Sequence, residues 1–83
     1  MTDVTDRVSL VTGSTKGIGK AIATALVAEG SRVVVHGREQ AATRAVCAEL
    51  GAYAAVNGDL ATVAGAAQVL KQLAAIDDEE VLV

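Results

Sequence analysis

The chain has 83 residues, 52% of them hydrophobic and 20% charged, with a formal net charge of −3 at pH 7. That length allows one small domain, burying only about 60–65% of its unfolded surface, and the absence of a Lys/Arg cluster excludes a phosphate-backbone binder. Tyr53 is the only aromatic residue and Cys47 the only cysteine, which rules out a base-stacking platform, an internal disulfide and a CxxC metal pair.

In chain order, Val8 to Val11 is a short apolar run that ends at Thr12-Gly13, the pattern of a buried strand feeding a tight turn. From Ile18 the spacing becomes helical, with Ile18, Ile22, Ala25, Leu26 and Glu29 marking the predicted inner stripe and Gly30 the left-handed cap. Val33-Val34-Val35 predicts a second buried strand, ended by His36-Gly37. A second helix is predicted from Glu39 to Leu50, its inner face formed by Ala42, Val46 and Leu50 and its stop by Gly51. Tyr53 to Val56 reads as a weaker third strand running into Asn57-Gly58-Asp59. Thr62 is the expected N-cap of a third helix that turns Val63, Ala67, Leu70 and Ala74 inward. The acids Asp77 to Glu80 read as a solvated loop, without the spacing of a calcium site, and Val81-Leu82-Val83 as a fourth strand.

Strict β-α-β-α-β-α-β alternation predicts an α/β fold, with a parallel sheet and right-handed crossovers in a single domain over residues 1–83. The last strand would leave an open apolar edge. Met1 to Val11 lacks a signal-peptide run and no segment approaches a membrane span. The expectation is a cytoplasmic protein with no membrane or nucleic-acid partner.

Three glycines, Gly13, Gly17 and Gly19, fall between the first strand and the first helix. Pyrophosphate binds at a helix N-terminus, where unpaired N–H groups and the helix dipole favour negative charge. Gly13 suits the sharp turn, Gly17 the close approach of backbone to phosphate, and Gly19 close helix packing. A P-loop would need glycine at 14 and Ser or Thr at 21, where the chain has Ser14 and Ala21.

The string Thr12-Gly13-Ser14-Thr15-Lys16-Gly17-Ile18-Gly19 resembles the TGxxxGxG motif of the short-chain dehydrogenases/reductases. Asp59-Leu60 stands where that family places an aspartate near the adenine, and Glu80 to Val83 resembles its fourth strand, so the likeness covers nearly the whole chain. It implies the first four strands of a doubly wound Rossmann-type sheet and a dinucleotide held by residues 13–19, Arg38, Asp59 and Leu60. At the end of the second strand an acid selects NAD(H) and a base selects NADP(H); Gly37-Arg38, with Lys16 in the turn, favours NADP(H), and NAD(H) is the lesser alternative.

Each site residue also has a plainer reading. Ser14 and Thr15 either meet phosphate oxygens or cap the helix; Arg38 either forks onto a phosphate or is solvated; Asp59 either faces the adenine or only forms a turn. His36 and Cys47 read as structural residues. The family's chemistry uses a Tyr-x-x-x-Lys pair, with Tyr as general acid/base. Tyr53 is followed four positions on by Asn57, so no catalytic residue is assigned within these residues and no metal site is expected.

The resemblance implies a fragment of an oxidoreductase that reduces a carbonyl or oxidises an alcohol, homo-oligomeric at full length. Reductases of 3-oxoacyl thioesters are one common group with this signature. The other class of function left open is a short module that binds nucleotide, or pairs with a subunit, without catalysis. The isolated 83 residues are expected to show no turnover and weak or no cofactor binding.

Overall fold

The computed structural model describes residues 7–76 and the strand at 81–82. The elements are β1 (Val8–Val11), α1 (Gly17–Ala28), β2 (Arg32–Gly37), α2 (Gln40–Leu50), β3 (Ala54–Asn57), α3 (Val63–Ala74) and β4 (Val81–Leu82). The expected loop at 77–80 and the final residue of the fourth strand, Val83, lie outside the described residues. β3 begins one residue later than the sequence suggests and takes in Asn57.

All strand pairs are parallel, in the order β3-β2-β1-β4. The chain moves outward from β1 to β2 and β3, then returns to the far side of β1. That reversal makes the carboxyl ends of β1 and β4 the point where ligands bind in open α/β sheets.

β2 lies inside the sheet, and its Val33, Val34 and Val35 are fully buried. Side chains alternate along a strand, so Val34 joins Val8, Leu10, Val56 and Val69 on the α3 side, while Val33 and Val35 join Ala23 and Val46 on the α1–α2 side. A continuous β-branched run is what a strand covered on both faces requires. The edge strand β3 is closed at its carboxyl end by Gln72, whose side-chain oxygen accepts from Asn57 N–H (3.0 Å) and whose amide donates to Asn57 C=O (2.7 Å).

Two helices present a different face to the sheet from the one their hydropathy suggests. In α1, Ile18 and Ile22 are exposed, as are Ala25 and Glu29, whereas Ala23 is fully buried with Leu26 and Val27 half-buried beside it. In α3, Val63 is 89% exposed and Leu70 66%, and Ala67 and Ala74 are exposed too. Gly65 and Val69 are buried instead, backed by Leu73 and Ile76. The period is helical in both cases but the phase is set by close approach. A Cβ on Gly65 would run into the Asp59 carbonyl, so only a glycine lets α3 start there. Thr62 caps that start by accepting from Gly65 N–H at 2.9 Å.

In α2 the first inward residue is Thr43 rather than Ala42. Its hydroxyl donates to Glu39 C=O at 2.6 Å, which satisfies the buried oxygen. α1 ends as predicted near Gly30, which has φ +89°. There Gly30 N–H donates to Val27 C=O and Ser31 N–H to Leu26 C=O, the paired bonds of a Schellman cap.

Candidate nucleotide site

The site is built from the turn between β1 and α1. Gly13 and Gly17 both have positive φ, +60° and +64°, a region that side chains with a Cβ seldom adopt. Gly19 permits a close contact: a Cβ there would meet the Gly13 carbonyl. The turn therefore folds back on the first turn of α1 and brings the helix N-terminus against the end of β1.

That N-terminus has no side-chain cap and no acid in its first turn; its N-cap residue is Lys16, with extended backbone. Neither Ser14 nor Thr15 caps α1, so that alternative is not realised. The first N–H groups of such a helix lack intrahelical partners and attract an anion.

Lys16 and Arg38 lie on different connections, yet both line one cavity of about 300 Å³ together with Thr15, Glu39, Ala42 and Val46. Two cations and one carboxylate thus share a recess beside the helix N-terminus. Among the described residues, neither Lys16 nor Arg38 has an ion-pair partner, whereas Lys20 pairs with Glu49 at 2.8 Å between α1 and α2.

The other residues that the sequence singles out are placed as follows. Ile18 is 81% exposed at the start of α1. Ser14 is fully buried, and its hydroxyl accepts from His36 N–H (2.8 Å) and donates to His36 C=O (3.3 Å). The Asp59 carboxylate accepts from Ala61 N–H at 2.9 Å, forming a local turn, and Leu60 beside it is partly exposed. Neither Asp59 nor Leu60 lines the cavity. Tyr53 precedes β3, at the opposite end of the sheet, with the Arg32 guanidinium 5.5 Å from its ring centroid.

His36 does more than end a strand. Its ring is nearly buried and takes hydrogen bonds on both sides: Gly13 N–H donates to Nδ1, and Nε2 lies 2.9 Å from Gly58 C=O. The sequence signal for this was a lone polar ring following three buried valines. Among the described residues, no group of three or more His, Cys, Asp or Glu side chains could hold a metal, and no helix is long and apolar enough to cross a membrane.

A family model described as short chain dehydrogenase matches residues 7–79. The chain belongs to this family. The uncharacterized oxidoreductase YvrD of Bacillus subtilis is 38% identical over 81 residues, covering 94% of this chain and 31% of YvrD. An uncharacterized oxidoreductase of Staphylococcus aureus strain USA300 is 55% identical over 40 residues, 48% of this chain and 17% of the relative.

Among solved structures, the Pseudomonas aeruginosa RhlG/NADP active-site complex superposes with a TM-score of 0.82 at 33% identity, covering 90% of this chain and 32% of RhlG. L-Sorbose reductase from Gluconobacter frateurii, complexed with NADPH and L-sorbose, gives 0.73 at 29% identity, covering 90% and 31%. This short chain dehydrogenase chain therefore spans about a third of the length of YvrD and of both solved structures.

Proposed function

We propose that this chain forms the adenosine and pyrophosphate half of an NADP(H) site, in an oxidoreductase that interconverts a carbonyl and an alcohol. The observation that carries the reading is the meeting of Lys16 and Arg38 at one cavity beside an uncapped, acid-free helix N-terminus. The residues present fit such a group. Gly17 has open space where a Cβ would stand, which leaves room for phosphate against the backbone. The neighbouring complexes of RhlG with NADP and of L-sorbose reductase with NADPH support the same ligand class.

In this reading the N–H groups at the start of α1 bind the pyrophosphate, and the dipole of α1 adds to the attraction. Arg38 forks onto the 2′-phosphate, with Lys16 as a second point charge. Thr15 borders the same recess, and Asp59, held by Ala61 N–H, stands near the adenine end. When bound, the nicotinamide supplies hydride transfer. These residues bind and orient; proton transfer to the substrate is assigned to none of them.

Glu39 gives the competing reading its one observation, because it is among the residues lining the cavity and an acid there suits the ribose hydroxyl of NAD(H). Cofactor titration of the full-length protein and its Arg38→Asp variant separates the two. Losing a charge-assisted bond and adding repulsion should weaken NADPH binding by about 10–100-fold, with a relative gain for NADH. An unchanged NADPH/NADH ratio would remove the NADP(H) assignment.

A further inference from the structure

We propose that His36 is a positioning residue for the nucleotide turn, held as its neutral Nε2–H tautomer, so that loss of its two ring hydrogen bonds loosens the turn and weakens cofactor binding. The inference rests on the NADP(H) reading for its consequence, but its geometry stands on this chain alone.

An amide N–H only donates and a carbonyl oxygen only accepts. The ring faces Gly13 N–H with Nδ1 and Gly58 C=O with Nε2, each at 2.9 Å. Only one form satisfies both: Nδ1 bare and Nε2 protonated. The imidazolium would set a second N–H against Gly13 N–H. With the ring 4% exposed, water is poorly placed to take over the lost bond, and an unmade buried bond is costly.

The bond matters beyond its own strength because of where Gly13 leads. The Gly13 carbonyl packs on Gly19 in the first turn of α1. A shift at Gly13 is therefore passed to the helix N-terminus that holds pyrophosphate. On the other side, Gly58 adjoins Asp59. One ring thus pins the exits of β1, β2 and β3 into a single platform.

The backbone of His36 holds the fold separately. Ser14 N–H donates to His36 C=O at 2.8 Å, and the Ser14 hydroxyl meets His36 N–H at 2.8 Å. Neither bond needs the imidazole. Among the described residues no charged side chain hydrogen-bonds the ring, so the two backbone groups choose its tautomer.

NADP+ is titrated into full-length wild type, H36Q and H36L. Gln retains one acceptor and one donor, whereas Leu keeps the bulk and neither bond. H36Q should bind a few-fold more weakly than wild type and H36L about tenfold more weakly.

Equal losses in H36Q and H36L, or no loss in H36L, would overturn the proposal. Absence of NADP+ binding by wild type would instead overturn the cofactor reading. Imidazole 15N shifts of wild type, which need no ligand and no variant to fold, give the second test. The Nε2–H tautomer is expected, with a scalar coupling across the hydrogen bond from the Gly13 amide to Nδ1. An Nδ1–H tautomer, or no such coupling, would sink the positioning role.

Discussion

The two ends of the sheet handle polar groups in opposite ways. At the amino end, side chains close on one another: the Ser31 hydroxyl donates to Arg7 C=O at 3.0 Å, which leaves Ser9 Oγ to donate to Ser31 Oγ at 2.8 Å. Arg32 lies over Tyr53 nearby. At the carboxyl end, His36 and Ser14 secure the backbone, while Lys16 and Arg38 line a cavity without an ion-pair partner among the described residues. At the amino end the Ser9 and Ser31 hydroxyls are spent on one another and on Arg7 C=O. The carboxyl end leaves the basic residues Lys16 and Arg38 lining a recess of about 300 Å³ beside the uncapped start of α1. Both ends hold buried polar side chains, so burial of polarity alone does not mark a site; unspent charge next to a fixed backbone does.

Substitutions that separate stability from binding should split along that line. The largest effects are expected where backbone meets backbone. Gly19→Ala and Gly65→Ala each force a Cβ into a carbonyl, and each should destabilise by about 3 kcal/mol or more. Only the first moves the nucleotide turn. Denaturant melts with NADP+ titration of the surviving fold should show a larger binding defect in G19A, where the pyrophosphate turn is displaced, than in G65A, where the contact is with Asp59 at the adenine end. Equal binding defects would erase the distinction between the two contacts.

At the amino end, Ser31→Ala removes the acceptor of the buried Ser9 hydroxyl. A loss of about 1–2 kcal/mol in urea unfolding is expected, with NADP+ affinity unmoved. An affinity change would mean that the two ends are coupled through the sheet. The smallest effect belongs to the Lys20–Glu49 pair, which joins α1 and α2 across a solvated groove. Glu49→Gln should cost about 0.5 kcal/mol or less, and high salt should abolish even that difference.

Much of this arrangement is legible in the residues themselves. The valine run at 33–35 identifies the doubly covered strand, Gly30 and Gly51 end their helices, and Thr62 caps the third. Glycine spacing at 13, 17 and 19 points to a phosphate turn because each position carries a separate steric demand. The inward faces of α1 and α3 depart from the hydropathy pattern for one shared reason, Leu26 excepted. Hydropathy ranks Ile18, Ile22, Val63 and Leu70 as core residues, but a helix pressed close to its neighbours turns its smallest residues inward. Ala23 and Gly65 occupy those contacts, and the larger side chains stand outside.

By itself, then, the sequence determined the order of elements, the parallel sheet, the glycine turn between β1 and α1 and the family, since these follow from local periodicity and from spacing within a few residues. Tertiary structure alone decided which groups share a place. Lys16 and Arg38 lie on separate connections and meet only because β1 and β2 run parallel with their carboxyl ends level. His36 joins Gly13 to Gly58 for the same reason. Adjacency across a sheet is set by strand register, and register is a property of the packed chain rather than of any one segment.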